Sequence, residues 1–516
     1  MVRVTTAAQA AAMDARAIAA GTESWSLMEA AGRAAADVIV SRCGTQAARG
    51  VAVYVGAGNN GGDGYVAAAA LAGRGIPVLV IEVDEPKTDD AKRARAELPA
   101  SGVTVVRPGE VRGGDAAPNA GVVVDALLGT GATGAPREPV LEAIAGIATR
   151  AAAGATVIAL DVPSGVDAST GLTAGAFVRA DLTITFGTVK RGLLRNRDAV
   201  GAIACVEIGL GDAVNDPAVP ELLDARGALA AVPVIPASAN KGTRRRLLVV
   251  GGATGMAGAA ILAARGALRS GIGMVKVCVD QPSVAAVQAA EPAVLTTPWP
   301  SGDEAFAELL SWAQGVLLGP GLGLTPASRE LAQRILKDWR GPIVVDADAL
   351  TAFAGNAERL GELLAGRAAV ITPHAVEAER LAGASASDID AGRFDAASRL
   401  SHRVKATVLL KGVPTVVSDG TRTVVVAAGT PVLATGGSGD VLGGIVATLL
   451  TQTGDGMASA TTGALVHGRA AELAGRGRVR GVALDDVVEA LRDAWDAPPP
   501  MSRPVLADLP SVGAAR

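Results

Sequence analysis

Two glycine-rich segments of this chain carry an aspartate where a strand could turn into a helix. They are Gly56-Ala57-Gly58-Asn59-Asn60-Gly61-Gly62-Asp63-Gly64 and Ala434-Thr435-Gly436-Gly437-Ser438-Gly439-Asp440-Val441-Leu442-Gly443-Gly444. Glycine lets backbone N–H groups come close to a phosphate, and a helix N-terminus adds partial positive charge. An aspartate there can take a proton from a reacting hydroxyl, or it can simply cap the helix. Two such segments in one chain suggest two active sites acting in sequence on one phosphorylated metabolite.

The first segment formally matches a dinucleotide fingerprint, with Glu82 and Asp84 near the distance of a ribose-binding acid. An ordinary nicotinamide-binding domain is the plain alternative. Asn59, Asn60 and Asp63 argue against it, because a simple Rossmann turn carries small or apolar residues there. Asparagine oxygens can hold a hard cation instead, and Asp63 can serve as a cap. Two further aspartates stand at strand ends: Asp125 before the glycine-rich stretch to Ala135, and Asp161 before Pro163 and Ser164. Ligands of open α/β sheets bind beyond such ends.

In the second segment the N–H groups of Gly437, Ser438 and Gly439 could form an anion hole at the start of an apolar helix. Asp440 stands where a carboxylate could accept a hydroxyl proton. The Lys-Ser/Thr ending of a Walker motif is missing, which disfavours a P-loop.

Elements that could position these residues alternate along both halves. Val51–Val55, Val78–Val83, Val122–Ala126, Thr156–Leu160 and Leu182–Phe186 read as buried strands, with helices such as Tyr65–Gly73 and Val140–Arg150 between them. Prolines 217, 220, 233 and 236 mark a linker over 212–242. The pattern restarts at Arg246, with helices expected at Ala257–Ser270, Pro326–Trp339, Ala375–Ala382 and Val441–Thr451. The tail from Ala497 reads as loop or disorder. At 516 residues, two domains are the default. A net charge of −4 and 2% aromatics argue against nucleic acid as partner. Three scattered cysteines fit a reducing, cytoplasmic setting, and no apolar stretch is long enough to span a membrane. A homo-oligomer is expected.

Gly58-Asn59-Asn60-Gly61-Gly62-Asp63-Gly64, Val124-Asp125-Ala126-Leu127-Leu128-Gly129-Thr130-Gly131 and Asp161-Val162-Pro163-Ser164-Gly165-Val166 together resemble the epimerase domain of NAD(P)H-hydrate repair enzymes. The second segment resembles the catalytic loop of the ribokinase-like superfamily. Thr372-Pro373-His374-Ala375-Val376-Glu377 and Leu410-Lys411-Gly412-Val413-Pro414-Thr415 resemble its further motifs. Gly319-Pro320-Gly321-Leu322-Gly323 and Val345-Asp346-Ala347-Asp348 match the dehydratase branch. The whole is similar to bifunctional NAD(P)H-hydrate epimerase and ADP-dependent dehydratase chains.

The resemblance implies an α/β chain, with a Rossmann-like three-layer epimerase domain over 1–225 and a ribokinase-like dehydratase domain over 226–516. It implies that Asn59, Asn60, Gly61, Gly62, Asp63, Gly129, Thr130, Gly131, Ala132, Thr133, Gly134, Ala135 and Asp161 contact the hydrates, NADHX or NADPHX. Asn60, Asp125 and Ser164 would hold potassium. Asp161 would be the acid/base, with Lys190 a weaker candidate. In the second domain Ala257, Gly258, Ala259, Gly323, His374 and Asp440 would contact the hydrate. Lys411, Gly412, Val413, Pro414, Thr415 and Gly439 would contact ADP with magnesium, and Asp440 would be catalytic. Ala375-Val376 depart from the Pro-Gly frequent after the histidine, which leaves the role of His374 open. His402 and His467 are taken as structural. A vitamin or sugar kinase fused to a Rossmann-like binding module is the rival reading, and a non-catalytic sensing module is another.

Overall fold

The computed structural model describes residues 1–110 and 119–512, the side chains at 99 and 100 aside. One compact unit takes in Met1–Leu222 and the segment starting at Pro500; the other takes in Leu223–Pro499.

The first unit is built on a sheet ordered Thr104–Val106, Val78–Glu82, Val51–Val55, Val122–Ala126, Thr156–Leu160, Leu182–Phe186, Ala202–Val206 and Val505–Leu509. All neighbours are parallel except the last pair. Alternate residues of one strand feed two separate cores, as a period of two requires. Val51, Val53 and Val55 pack with Ala35, Ile39 and Leu71, while Ala52 and Tyr54 pack with Ile144 and Ile147. Both faces are therefore covered, giving three layers. The tail is not wholly loop: Val505–Leu509 pairs antiparallel with Ala202–Val206, and residues 513–516 lie outside the described ones.

The second unit carries strands in the order Leu295–Pro298, Met274–Val279, Arg246–Val250, Gly315–Leu318, Ile343–Val345, Ala369–Ile371, Thr407–Leu410, Thr415–Ser418 and Thr423–Val426. The last two pairings are antiparallel. Helices Ala257–Arg269 and Ser438–Thr453 cover one face. They meet at glycines: a Cβ on Gly444 would stand 1.9 Å from the Ala263 carbonyl oxygen, and one on Gly266 would stand 2.3 Å from that of Val441. Gly444, read from sequence as part of an anion cradle, is thus a helix-packing residue.

In each sheet the chain runs outward from one strand and then returns to its other side. That leaves a crevice at the carboxyl ends where ligands bind in such sheets. In the first unit it lies between Val51–Val55 and Val122–Ala126; in the second, between Arg246–Val250 and Gly315–Leu318. The first glycine-rich segment opens at the first crevice, where Gly56 N–H donates to the Ala126 carbonyl at 3.1 Å, and the Gly251-Gly252 turn opens at the second, where Gly252 N–H donates to that of Pro320 at 2.9 Å.

Candidate active sites

In the first unit, helix Asn59–Ala72 begins six residues before the expected start at Tyr65, so only Gly56, Ala57 and Gly58 are loop. The glycines inside the helix bring it close to its neighbours. A Cβ on Gly61 would stand 2.0 Å from the Gly56 carbonyl oxygen, and one on Gly64 would stand 2.6 Å from the Ala126 methyl. Asp63 is not the cap: Gly58 occupies that position, and Asp63 lies a full turn inside, buried. Glu82 is also engaged. It accepts from the Tyr65 hydroxyl and from Arg95, both at 2.6 Å, so the ribose-binding acid of an ordinary dehydrogenase is committed to packing.

Asp161 follows strand Thr156–Leu160 with φ 62, a left-handed backbone that non-glycine residues rarely adopt. Such conformations persist where the surroundings over-determine them, and they gather at functional sites. Thr130 donates to Asp161 from its N–H at 3.2 Å and from its hydroxyl. On the other side Lys190 Nζ donates at 2.5 Å. That ammonium also faces Thr185 Oγ1, the Phe186 carbonyl and the Thr188 carbonyl, at 3.1, 3.0 and 3.4 Å. Its three protons are taken up by acceptors, so Lys190 serves as a fixed counter-charge. Burial pushes the Asp161 carboxyl up, but the charge and hydrogen bond of Lys190, with the bonds from Thr130, outweigh it and hold the carboxyl below its ordinary value.

Asn60, Asp125 and Ser164 come together around Leu128. Asn60 Nδ2 donates to the Leu128 carbonyl at 2.9 Å, and Leu128 N–H donates to Ser164 Oγ at 2.9 Å. Ser164 in turn gives its hydroxyl and its N–H to Asp125 at 2.7 and 2.8 Å. Burial raises the Asp125 carboxyl to about 6 against these bonds. No described group donates to the buried Asn60 Oδ1. Gly129 lies against Asn60, where a Cβ would stand 3.0 Å from the asparagine Cβ. Asn59, Gly131 and Thr133 to Ala135 are exposed, and Ala132 is half-buried.

In the second unit, helix Ser438–Thr453 starts on Gly437 at φ 91, with Asp440 in its first turn. Lys411, just past strand Thr407–Leu410, reaches beneath it. A Cβ on Gly439 would stand 3.3 Å from Lys411 Nζ. The ammonium bonds Asp346 at 2.9 Å and sits 3.6 Å from Glu377. Burial first, then the charges of Asp346, Asp348 and Glu377, raise the Asp440 carboxyl to about 7, with Lys411 opposing. Asp348 accepts from the Gly323 N–H at 2.8 Å, which ties the Gly319–Gly323 turn to the cluster. Met256, before Ala257, Gly258 and Ala259, packs against Gly321 and Gly323. The Gly412, Val413, Pro414 and Thr415 turn has Arg393 behind it: a Cβ on Gly412 would stand 2.2 Å from the guanidinium, which also bonds the Pro414 carbonyl.

His374 caps helix Ala375–Ala382. Its Nδ1 accepts from the N–H groups of Val376 and Glu377 at 3.2 and 3.3 Å, while Glu377 accepts from the His374 N–H at 2.8 Å. This reciprocal box sets helix entry where Pro-Gly is absent. His467 is not remote from the site: Nε2 lies 3.4 Å from Ser438 Oγ, and burial with the charge of Lys411 lowers its pKa to about 4. Sequence reading missed the weight of Asp346 and Glu377, which stood in quoted motifs at strand or helix ends. Lys190, carried over from the resemblance as a weaker acid/base candidate, is brought into direct contact with Asp161.

Comparison with known proteins bears on both units. A family model described as NAD(P)H-hydrate dehydratase matches residues 247–493, and one described as YjeF-related protein N-terminus matches residues 24–192. The bifunctional NAD(P)H-hydrate repair enzyme Nnr of Escherichia coli (strain K12) is 36% identical over 485 residues, which is 92% of this chain and 90% of that protein. The chain belongs to the bifunctional NAD(P)H-hydrate repair enzymes. The same enzyme of Salinibacter ruber (strain DSM 13855 / M31) is 37% identical over 486 residues, 88% of each chain. Both units are α/β with largely parallel sheets. Among solved structures, an ADP/ATP-dependent NAD(P)H-hydrate dehydratase from Bacillus subtilis matches 54% of this chain and 98% of its own, at 23% identity and a TM-score of 0.46.

Proposed function

We propose that the first unit interconverts the R and S hydrates of NADH and NADPH at C6 of the nicotinamide ring. The second unit then dehydrates the S form with ADP, releasing AMP and phosphate. What carries the reading is Asp440: a carboxyl raised to about 7 in the first turn of an apolar helix, in a chain of this family. A base near neutrality is suited to taking a hydroxyl proton at working pH. Asp440 takes the C6 hydroxyl proton, and the oxygen attacks the terminal phosphoryl group. The N–H groups of Gly437, Ser438 and Gly439 face the charge that develops. Hydroxide is a poor leaving group and phosphate a good one, so phosphate loss with loss of a C5 proton restores the dihydronicotinamide. Lys411 to Thr415 and Gly439 take the nucleotide; Ala257 to Ala259, Gly323 and His374 take the hydrate.

In the first unit Asp161 is the base, kept ionised by Lys190. Asn59 to Asp63 and Gly129 to Ala135 line the hydrate. The orphaned Asn60 Oδ1, the Asp125 carboxylate and Ser164 Oγ form an all-oxygen set that fits potassium, which would anchor the Leu128 turn next to Thr130. Magnesium would enter as part of the nucleotide complex, held chiefly by phosphates as that ion commonly is. The setting is cytoplasmic, in keeping with three free, buried thiols.

The test follows near-ultraviolet absorbance of reduced nicotinamide when the purified chain meets mixed hydrates with ADP or ATP. Asp440→Ala is expected to abolish nucleotide-dependent recovery while R and S still interconvert. Asp161→Ala is expected to leave recovery from S intact and let R accumulate, read as initial rates. Recovery at the wild-type rate in Asp440→Ala would refute the base, and a stable phosphorylated alcohol as product would favour the kinase reading.

A further inference from the structure

We infer that Asp63 is the proton-carrying partner of Asp161, so that two carboxyls of the first unit divide the acid and base work of epimerisation. This rests on the epimerase reading above. Asp63 lies one helical turn after Asn60 and on the same face of helix Asn59–Ala72. That face meets Gly129 through Asn60, and the next residue, Thr130, bonds Asp161. Asp63 is 9% exposed and receives no hydrogen bond from the described residues, whereas Asp161 receives bonds from Lys190, Thr130 and Thr185.

The charge count points the same way. Asp63 and Asp161 are both buried and both feel the charge of Lys190, which bonds Asp161, while Asp14, on helix Ala7–Ala19, adds a further negative charge from an exposed position. Two buried carboxylates near one cation cannot both ionise cheaply. The one lacking donors keeps its proton. Burial, then the charge of Asp161 with Asp14 adding and Lys190 opposing, pushes the Asp63 carboxyl well above its ordinary value. Two carboxyls driven apart in this way are the mark of an acid paired with a base.

The chemistry needs both. C6 of the hydrate bears a hydroxyl and the ring nitrogen. Asp161 takes the hydroxyl proton, the O–H pair forms a C=O bond, and the C6–N1 pair passes to N1, which takes the proton of Asp63. The freed aldehyde turns about its C5–C6 bond. N1 then attacks the opposite face and returns its proton to Asp63, while the oxygen recovers the proton held by Asp161. Atoms and electrons balance with no further reactant.

The experiment supplies R hydrate without nucleotide, so that only epimerisation runs, and follows R and S by chromatography from pH 6 to 10 after subtracting the buffer rate. The wild-type rate is expected to fall at high pH as Asp63 ionises. Asp63→Asn is expected to lose about 100-fold or more, in the range of a general acid, and to lose that high-pH limb. Asp63→Glu, which restores a carboxyl, should recover part of the rate and show a displaced limb. A wild-type profile flat to high pH overturns the inference with no variant needed. So does an Asp63→Asn chain that keeps the wild-type rate, or one that is slow but keeps the limb. A wild-type chain that never exceeds the buffer rate sinks the epimerase reading itself, and is thereby told apart.

Discussion

Each unit sets an aspartate near a lysine at the mouth of a parallel sheet, yet the two pairs end in opposite states. In the first, Lys190 bonds Asp161 directly at 2.5 Å and the carboxyl falls below its ordinary value. In the second, Lys411 bonds Asp346 at 2.9 Å and leans toward Glu377, and Asp440 rises to about 7 through burial first and like charge second. Both carboxyls are pushed up by burial, and what separates them is whether the lysine bonds the aspartate directly. A reaction on an activated hemiaminal carbon can use a weak base that stays ionised. Drawing a proton from an alcohol about to be phosphorylated is served by a base of higher pKa.

The comparison breaks most visibly at Lys190. Lys190→Met leaves Asp161 buried beside Asp63 and Asp14 with no counter-charge. Removing one member of a buried pair costs about 3–5 kcal/mol, so the melting temperature of the first unit should fall and epimerisation should vanish at neutral pH. An unchanged melt would show that the pair is not what holds Asp161. Next in size is Asp346→Asn. It removes the like charge acting most strongly on Asp440 and frees Lys411 to approach it, so both effects lower the Asp440 pKa. A base works only when ionised, and the dehydration rate falls as pH drops through that pKa. The low-pH limb should therefore move roughly one unit toward acid. A limb that stays in place or moves the other way would remove the electrostatic contrast between the units. The smallest effect is expected at His374. Asparagine caps helices well, so His374→Asn should leave stability within about 0.5 kcal/mol while raising the KM for the hydrate several-fold. An unchanged KM would confine the imidazole to its capping role.

Strands were readable because they are buried on both faces. Val51–Val55, Val122–Ala126, Thr156–Leu160 and Leu182–Phe186 have the bounds expected from their unbroken β-rich runs. Helix starts were less so. Asn59–Gly64 is glycine-rich and polar, and by propensity reads as loop, yet it is helical because small residues let that helix lie close on Gly56 and Ala126. The tail strand Val505–Leu509 was hidden behind a proline run, and only its partner Ala202–Val206 makes it a strand.

By itself the sequence determined that two α/β halves each carry an aspartate at a strand or helix end, because those motifs are local and their spacing is set by one strand, one turn and one helix. Tertiary structure decided that the Asp161 carboxyl is held below its ordinary value while those of Asp440 and Asp63 are pushed up, and that His467 meets Ser438. The reason is physical. Charge and burial act through space between residues far apart in the chain, and no spacing along the chain records them.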